Sequence, residues 1–189
     1  MDPNIKKDIL SVLKTSLKAI KQNDLSLLRE QSSRTVNDSS IYQDEYSISV
    51  SVVIYAIFKV LEKNQDDTKW SVNLLKELKK AILFLEKDQI NNYETSLKKI
   101  IYTLKNLDKN VNMYIDDVIQ ATKVKKASSI HNQGLSLGRA AELLGISKWE
   151  LMPYSGQTTT YEGESNISKS TKVRLMLARK MFGIKWKKV

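Results

Sequence analysis

Hydrophobic residues recur at three- and four-residue steps along the first part of the chain. In residues 5–21 this spacing places the apolar side chains on one face of a helix. Asp24 is positioned to cap a second helix, which opens with several leucines. Residues 32–40 are polar, and we expect them to form a frayed helix end or a loop.

Residues 44–62 carry two patterns. Ile48, Val50 and Val52 alternate with serines, as in a strand, and the run from Val53 onward is almost continuously apolar. No second strand pattern is present to pair with this segment, and a lone strand would leave its backbone amides unsatisfied. We therefore expect a buried central helix with the serines as a polar face.

The apolar pattern predicts three further helices. Residues 74–85 carry one stripe, and residues 89–107 carry a seam of six apolar residues at alternating steps of three and four. Another helix starts near Asn110 and runs into the basic stretch 123–126. The fold class is therefore mainly α, with a five- or six-helix bundle over residues 1–122 that dimerises or senses a signal.

Catalytic and metal-binding residue types are scarce. The chain has no cysteine and one histidine, His131, which excludes disulfides, thiolate zinc sites and multi-histidine metal sites. Its carboxylate pairs, such as Asp44-Glu45, are adjacent in sequence and do not converge on a helix. His131 also lacks the preceding arginine that HEPN-type ribonucleases use. We expect no enzymatic activity, no metal and no cofactor.

The chain also lacks a targeting or membrane pattern. Its first residues do not follow the charged-then-apolar plan of a signal peptide. The most apolar window, residues 47–61, is shorter than the roughly 20 residues that a membrane-spanning helix needs. We expect a cytoplasmic protein.

Charge is distributed unevenly. Residues 1–120 hold 18 Lys/Arg and 17 Asp/Glu, whereas residues 121–189 hold 13 Lys/Arg and 4 Asp/Glu. The overall charge of +10 is therefore concentrated in the last third of the chain. This asymmetry favours a polyanionic partner, most simply nucleic acid, over the alternative of a solubilising basic surface.

Residues 136–154 have the pattern of two short helices joined by a tight turn. Ser136 can cap the first helix, and Ser147 with Glu150 forms a capping box for the second. A left-handed turn between them suits glycine. The predicted motif core consists of Ala140, Ala141, Leu144, Gly145, Ile146, Leu151 and Tyr154.

This segment resembles the helix-turn-helix of small prokaryotic regulators. It is most similar to the short antitoxin family that pairs with PIN-domain ribonuclease toxins, through the run Gly-Arg-Ala-Ala-Glu-Leu-Leu-Gly-Ile-Ser-Lys-Trp-Glu-Leu at residues 138–151. The resemblance implies DNA binding, with autoregulation beside a toxin gene. It does not extend to residues 1–120.

In a DNA-bound helix-turn-helix, the exposed residues at the start of the second helix meet base edges. Trp149 either belongs to that surface or packs against the neighbouring helix. Pro153 cannot continue a helix undistorted, so the second helix is short or kinked. The predicted DNA-binding residues are Ser147, Lys148, Trp149, Met152, Arg139, Gln157, Lys169 and Lys172.

The chain beyond the motif completes a basic domain, residues 123–189. Residues 154–163 are β-leaning and form either a short wing strand or an extended linker. Residues 166–182 predict a basic amphipathic terminal helix. The leading hypothesis is a prokaryotic DNA-binding regulator. The alternative is an antitoxin-like module that binds and restrains a protein partner such as a PIN-domain ribonuclease.

Overall fold

The protein is mainly α-helical. The computed structural model describes residues 1–42, 44–64, 71–154 and 182, and this part of the chain contains no strand. A short 3-10 turn, Met152–Tyr154, follows the last described helix. The α-helices are α1 (Pro3–Lys21), α2 (Leu25–Tyr42), α3 (Glu45–Lys63), α4 (Ser71–Glu86), α5 (Ile90–Leu107), α6 (Val111–Asn132), α7 (Leu137–Leu144) and α8 (Lys148–Leu151).

Aspartates start the first three helices. The Asp2 carboxylate accepts the backbone N–H of Asn4 at 2.8 Å. Asp24 does the same for Leu27 at 2.8 Å, which confirms the predicted cap of α2. Asp44 accepts two N–H groups at the start of α3, at 2.9 and 3.0 Å. These carboxylates satisfy amides that the helices themselves leave unpaired.

The ambiguous apolar segment forms the central helix of the bundle, as predicted. α3 packs against α2, α5 and α6, and apolar side chains on almost every side of it are buried. The seam of α5 also faces the core, where Tyr93, Leu97, Ile100 and Leu104 are fully buried. One continuous hydrophobic cluster joins α1 to α6. None of the described helices has both the length and the apolar character needed to cross a bilayer.

The prediction for residues 32–40 is wrong. α2 continues through this polar stretch to Tyr42, and Ser32, Thr35 and Ser39 are buried inside the bundle. Hydroxyls donate to carbonyls of their own helix, as Thr35 Oγ1 does to Ser32 O at 2.9 Å. Because such a hydroxyl is satisfied locally, it can be buried without a large desolvation cost.

The serines of α3 are also buried, so they do not form the solvent-facing surface that a polar face suggests. Ser51 Oγ donates to Thr35 O of α2 at 2.6 Å. One turn further along α2, Ser39 Oγ lies 3.0 Å from Thr122 Oγ1 of α6. Small hydroxyl-bearing side chains therefore fill the contacts where α2 meets α3 and α6.

α6 runs without a break through residues 122 and 123, where the sequence suggested a domain boundary. Its first half contributes Val111, Ile115 and Ile119 to the bundle core. Its last turns contribute Ala127 to a second, smaller core with α7 and α8. The bundle and the α7–α8 segment are thus built on one shared helix, and the division into two domains stays a prediction.

The buried hydroxyls of α2 generate a stability prediction. We expect Ser39→Leu to destabilise the protein by about 1–3 kcal/mol or more, because a larger side chain overpacks the α2–α6 contact. Ser39→Ala is expected to cost only about 1 kcal/mol, since Thr122 keeps its hydrogen bond to Val118 O at 2.9 Å. Urea unfolding monitored by circular dichroism measures both effects.

The matched control is Ser26→Leu, because Ser26 lies exposed in the first turn of the same helix. Its effect is expected to stay within about 0.5 kcal/mol. Equal stability of the two leucine variants would mean that the polar stripe of α2 lies at the surface.

Candidate nucleic-acid interface

The segment after α6 is positioned by two turns that need unusual backbone angles. α6 ends at a left-handed turn in which Gly134 has φ 102°, as expected for a glycine beyond a helix C-cap. α7 then begins at Ser136, whose hydroxyl accepts the Arg139 N–H at 3.3 Å. The serine cap was predicted from the sequence.

Gly145 forms the turn between α7 and α8. Its φ is 62°, in the left-handed region, and its N–H donates to Glu142 O at 3.1 Å. The next residue, Ile146, donates its N–H to Ala141 O at 3.1 Å. These hydrogen bonds satisfy carbonyls at the end of α7 and turn the chain sharply into α8.

A small apolar core holds α7 and α8 against α6. Ala140, Ala141, Leu144 and Leu151 are buried together with Ala127, and Ile146 is partly buried against them. The alanines let the helices approach closely, as the predicted motif core requires. Tyr154 is the exception: its side chain is 40% exposed, because the chain enters a 3-10 turn after Leu151. The prediction that Tyr154 is buried is therefore wrong.

The capping box of α8 is complete. Glu150 N donates to Ser147 Oγ at 3.2 Å, and Ser147 N donates to Glu150 Oε2 at 2.7 Å. The other carboxylate oxygen accepts the Gln120 side-chain amide of α6 at 2.8 Å. Hydrogen bonds from Ser147 and Gln120 outweigh desolvation and lower the pKa of Glu150. Both oxygens of this exposed carboxylate thus accept hydrogen bonds, one from the capping box and one from α6.

α8 presents apolar and cationic side chains to solvent. Trp149 is 78% exposed, so it does not pack against the neighbouring helix, which was one of the two alternatives for it. Met152 is 49% exposed in the following turn. Lys148 is exposed, and among the described residues no carboxylate lies within 4 Å of its ammonium.

The start of α7 lies beside the start of α8. A Cβ added to Gly138 would come within 2.7 Å of Lys148 Cε and 3.1 Å of its Nζ. The lysine side chain therefore lies across the first turn of α7 at Gly138. The Arg139 guanidinium pairs with Glu142 at 2.9 Å, but both side chains are mostly exposed. Such a surface pair contributes little stability and can be exchanged for a phosphate contact.

Four features predicted from the sequence fall outside the described residues. They are Gln157, Lys169, Lys172 and the β-leaning segment, of which only residue 154 is described. The predicted terminal helix, residues 166–182, lies outside them too, except for Phe182. Phe182 is buried against the bundle, and its carbonyl accepts Lys105 Nζ of α5 at 3.3 Å.

His131 has a structural contact in the described part of the chain. Its Nδ1 lies 2.8 Å from Leu135 O, just beyond the C-terminus of α6. No group of three or more His, Cys, Asp or Glu side chains within the described ranges is arranged to hold a metal ion.

Two residues that shape this surface were not predicted from the sequence. Gly138 makes room for Lys148, and Gln120 holds the Glu150 carboxylate from α6. A glycine within the first turn of a helix is a signal for close approach of a neighbour. Gln120 carries no such signal, because its partner lies 30 residues away in the chain.

Comparison with known proteins adds no relative. No protein-family model, no curated protein and no solved structure matches this chain.

The left-handed turn can be tested by substitution. Gly145→Ala is expected to destabilise α7 and α8 by about 1–2 kcal/mol, because L-residues are strained at positive φ. No atom lies within 4 Å of an added Cβ, so the cost is conformational and not a steric clash. Amide hydrogen exchange in Leu137–Leu144 measures the loss of protection.

Gly145→Asn is the matched control, because asparagine tolerates the left-handed region better than alanine. We expect it to retain more protection than Gly145→Ala. Equal protection in the two variants and the native chain would contradict a left-handed turn at this position.

Proposed function

We propose that the protein binds DNA through a helix-turn-helix formed by α7 and α8 and acts as a prokaryotic transcriptional regulator. The observation that supports this most is the outward face of α8. There Lys148, with no described carboxylate within 4 Å, lies next to the exposed Trp149 on a segment held by caps and its own core.

The chemistry of this face suits a nucleic acid. An ammonium group donates to phosphate oxygens or to guanine O6 and N7 in the major groove. Trp149 offers an indole N–H donor and a flat apolar surface. Met152 follows one turn later and supplies apolar contact.

Glu150 places one negative charge on the second helix, because its side chain is exposed and its pKa is lowered. Its two oxygens accept hydrogen bonds from Ser147 N and from the Gln120 side-chain amide of α6, which hold the carboxylate toward α6. The surrounding sequence is cationic, with 13 Lys/Arg against 4 Asp/Glu in residues 121–189. This excess supplies the sequence-independent attraction that positions a protein on DNA.

Fluorescence anisotropy with a labelled duplex from the DNA upstream of the gene tests the proposal. The full-length chain is titrated at 50 and 200 mM salt, and we expect markedly tighter binding at low salt. Lys148→Gln is expected to weaken binding by about 1–3 kcal/mol if it reads a base. If it contacts phosphate, the salt slope falls by about 1.

Lys7→Gln is the charge-matched control, since Lys7 is an exposed lysine on α1. It is expected to leave the affinity unchanged. Absence of binding at 50 mM salt, or equal losses in the two variants, would refute DNA binding by α7 and α8.

A second function is favoured by the apolar character of the same face. Trp149, Met152 and Leu143 are all large exposed apolar residues of α7, α8 and the turn that follows. Large exposed apolar side chains are typical of protein-binding surfaces, in which tryptophan is often an energetic hot spot. This observation favours an antitoxin-like module that restrains a partner such as a PIN-domain ribonuclease.

Co-expression with a PIN-domain protein encoded beside the gene tests this alternative. If the apolar face docks the partner, Trp149→Ala should weaken the complex by about 2 kcal/mol or more. Lys148→Gln should leave the complex largely intact. Absence of a complex with the native chain, or equal loss with Lys148→Gln and Trp149→Ala, would refute apolar docking.

A further inference from the structure

A concave site lies at the surface of the N-terminal bundle, away from α7 and α8. It is an open cavity of about 340 Å³ between α2, α3 and α6. This volume falls in the range of pockets that hold small organic molecules. Every residue that lines it belongs to the described part of the chain.

The floor of the cavity is apolar. Val36, Phe58 and Val118 line it, and all three are buried in the bundle core. Tyr55 closes one side and is half-buried. An apolar floor of this kind favours a ligand with an apolar body over a hydrated inorganic ion.

The rim of the cavity is cationic. Arg29, Lys59 and Lys125 come from α2, α3 and α6 respectively. The Arg29 guanidinium carbon lies 5.9 Å from the Phe58 ring centre, and Lys59 Nζ lies 5.3 Å from the same point. Three helices thus bring cations and an aromatic ring to one place, although these residues are far apart in sequence.

Two of these cations make no direct ion pair with a described carboxylate. Within residues 1–42, 44–64 and 71–154, no carboxylate comes within 4 Å of Arg29 or Lys125. Lys59, by contrast, pairs with Glu62 at 2.8 Å. Lys125 is half-buried, and its hydrogen bond at 3.2 Å goes to the neutral Asn37 side chain.

The electrostatics of the lining favour an added negative charge near Lys125. Burial lowers the pKa of Lys125, and the nearby Asp38 only partly opposes this effect. An anion beside the ammonium would compensate its lost hydration. Asp117 also lines the cavity, where burial and Asp116 raise its pKa against the influence of Lys59. This carboxylate makes the Asp117 side of the cavity the less favourable one for an anion.

We propose that this cavity binds a small organic anion, with its acidic group at the cationic rim that includes Arg29 and Lys125 and its apolar, planar body against Phe58 and Val118. A carboxylate or a phosphate monoester supplies the required acidic group. The proposal is independent of DNA binding, because none of its residues lies in α7 or α8.

Nuclear magnetic resonance of the ¹⁵N-labelled full-length chain tests the site directly. The probe is 1-anilinonaphthalene-8-sulfonate, which joins an aromatic body to a permanent anion. We expect saturable shifts of backbone amides concentrated around Arg29–Val36, Tyr55–Lys59 and Asp117–Lys125. The uncharged analogue N-phenyl-1-naphthylamine is expected to bind the same site more weakly.

Two variants test the role of charge. Arg29→Gln and Lys125→Gln are each expected to raise the dissociation constant of the sulfonate about tenfold, the usual effect of losing a charged hydrogen bond. They should change the affinity for the uncharged analogue much less. Lys79→Gln is the control for net charge, because Lys79 is an exposed lysine of α4 outside the cavity.

Several outcomes would overturn the proposal. Shifts concentrated on Trp149 and its neighbours would place the probe on the exposed apolar face of α8. If Arg29→Gln, Lys125→Gln and Lys79→Gln bind the sulfonate with equal affinity, the rim cations do not contribute to anion binding. Circular dichroism of each variant shows whether it remains folded. If Lys125→Gln is partly unfolded, Arg29→Gln tests the role of charge, because the Arg29 side chain is exposed.

Discussion

The structure depends on the burial of a single helix, α6, in two hydrophobic cores at once. α6 packs into the bundle core through Ile115, Val118 and Ile119, and its last turns pack against α7 and α8 through Ala127. Because an α-helix is stiff over this length, the bundle fixes the direction in which α7 and α8 are presented. The same helix also lines the bundle cavity through Val118, Ala121 and Lys125. Both candidate sites are therefore attached to one continuous element.

Polar side chains hold this arrangement together in two different ways. Where α2 meets α3, Thr35 Oγ1 donates to Ser32 O of its own helix, and Ser51 Oγ of α3 donates to Thr35 O of α2, so these buried hydroxyls are satisfied while the helices pack closely. At α8, the exposed Glu150 carboxylate is held in place by the capping box and by Gln120 of α6. The exposed surface of α8 also carries Lys148 and Trp149, which suits either a phosphate-rich partner or an apolar protein surface.

Much of the fold could be predicted from local patterns. The apolar stripes of α1, α4 and α5, the left-handed glycine at 145 and the serine cap at 136 each follow from residues a few positions apart. Predictions were wrong where the environment comes from distant residues. Residues 32–40 look exposed because they are polar, and Tyr154 looks buried because it is aromatic. Their burial depends instead on which helix lies opposite and on where α8 ends.

The sequence by itself determined the helical class, the turn at Gly145 and the basic character of the C-terminal third, because these depend on local backbone preference and on counted charge. Tertiary structure alone decided that Lys148 lies across Gly138 and that Trp149 is exposed. It also brought Arg29, Lys59 and Lys125 to one cavity from three helices. Such proximity arises from how helices pack, and the spacing of residues along the chain does not encode it directly.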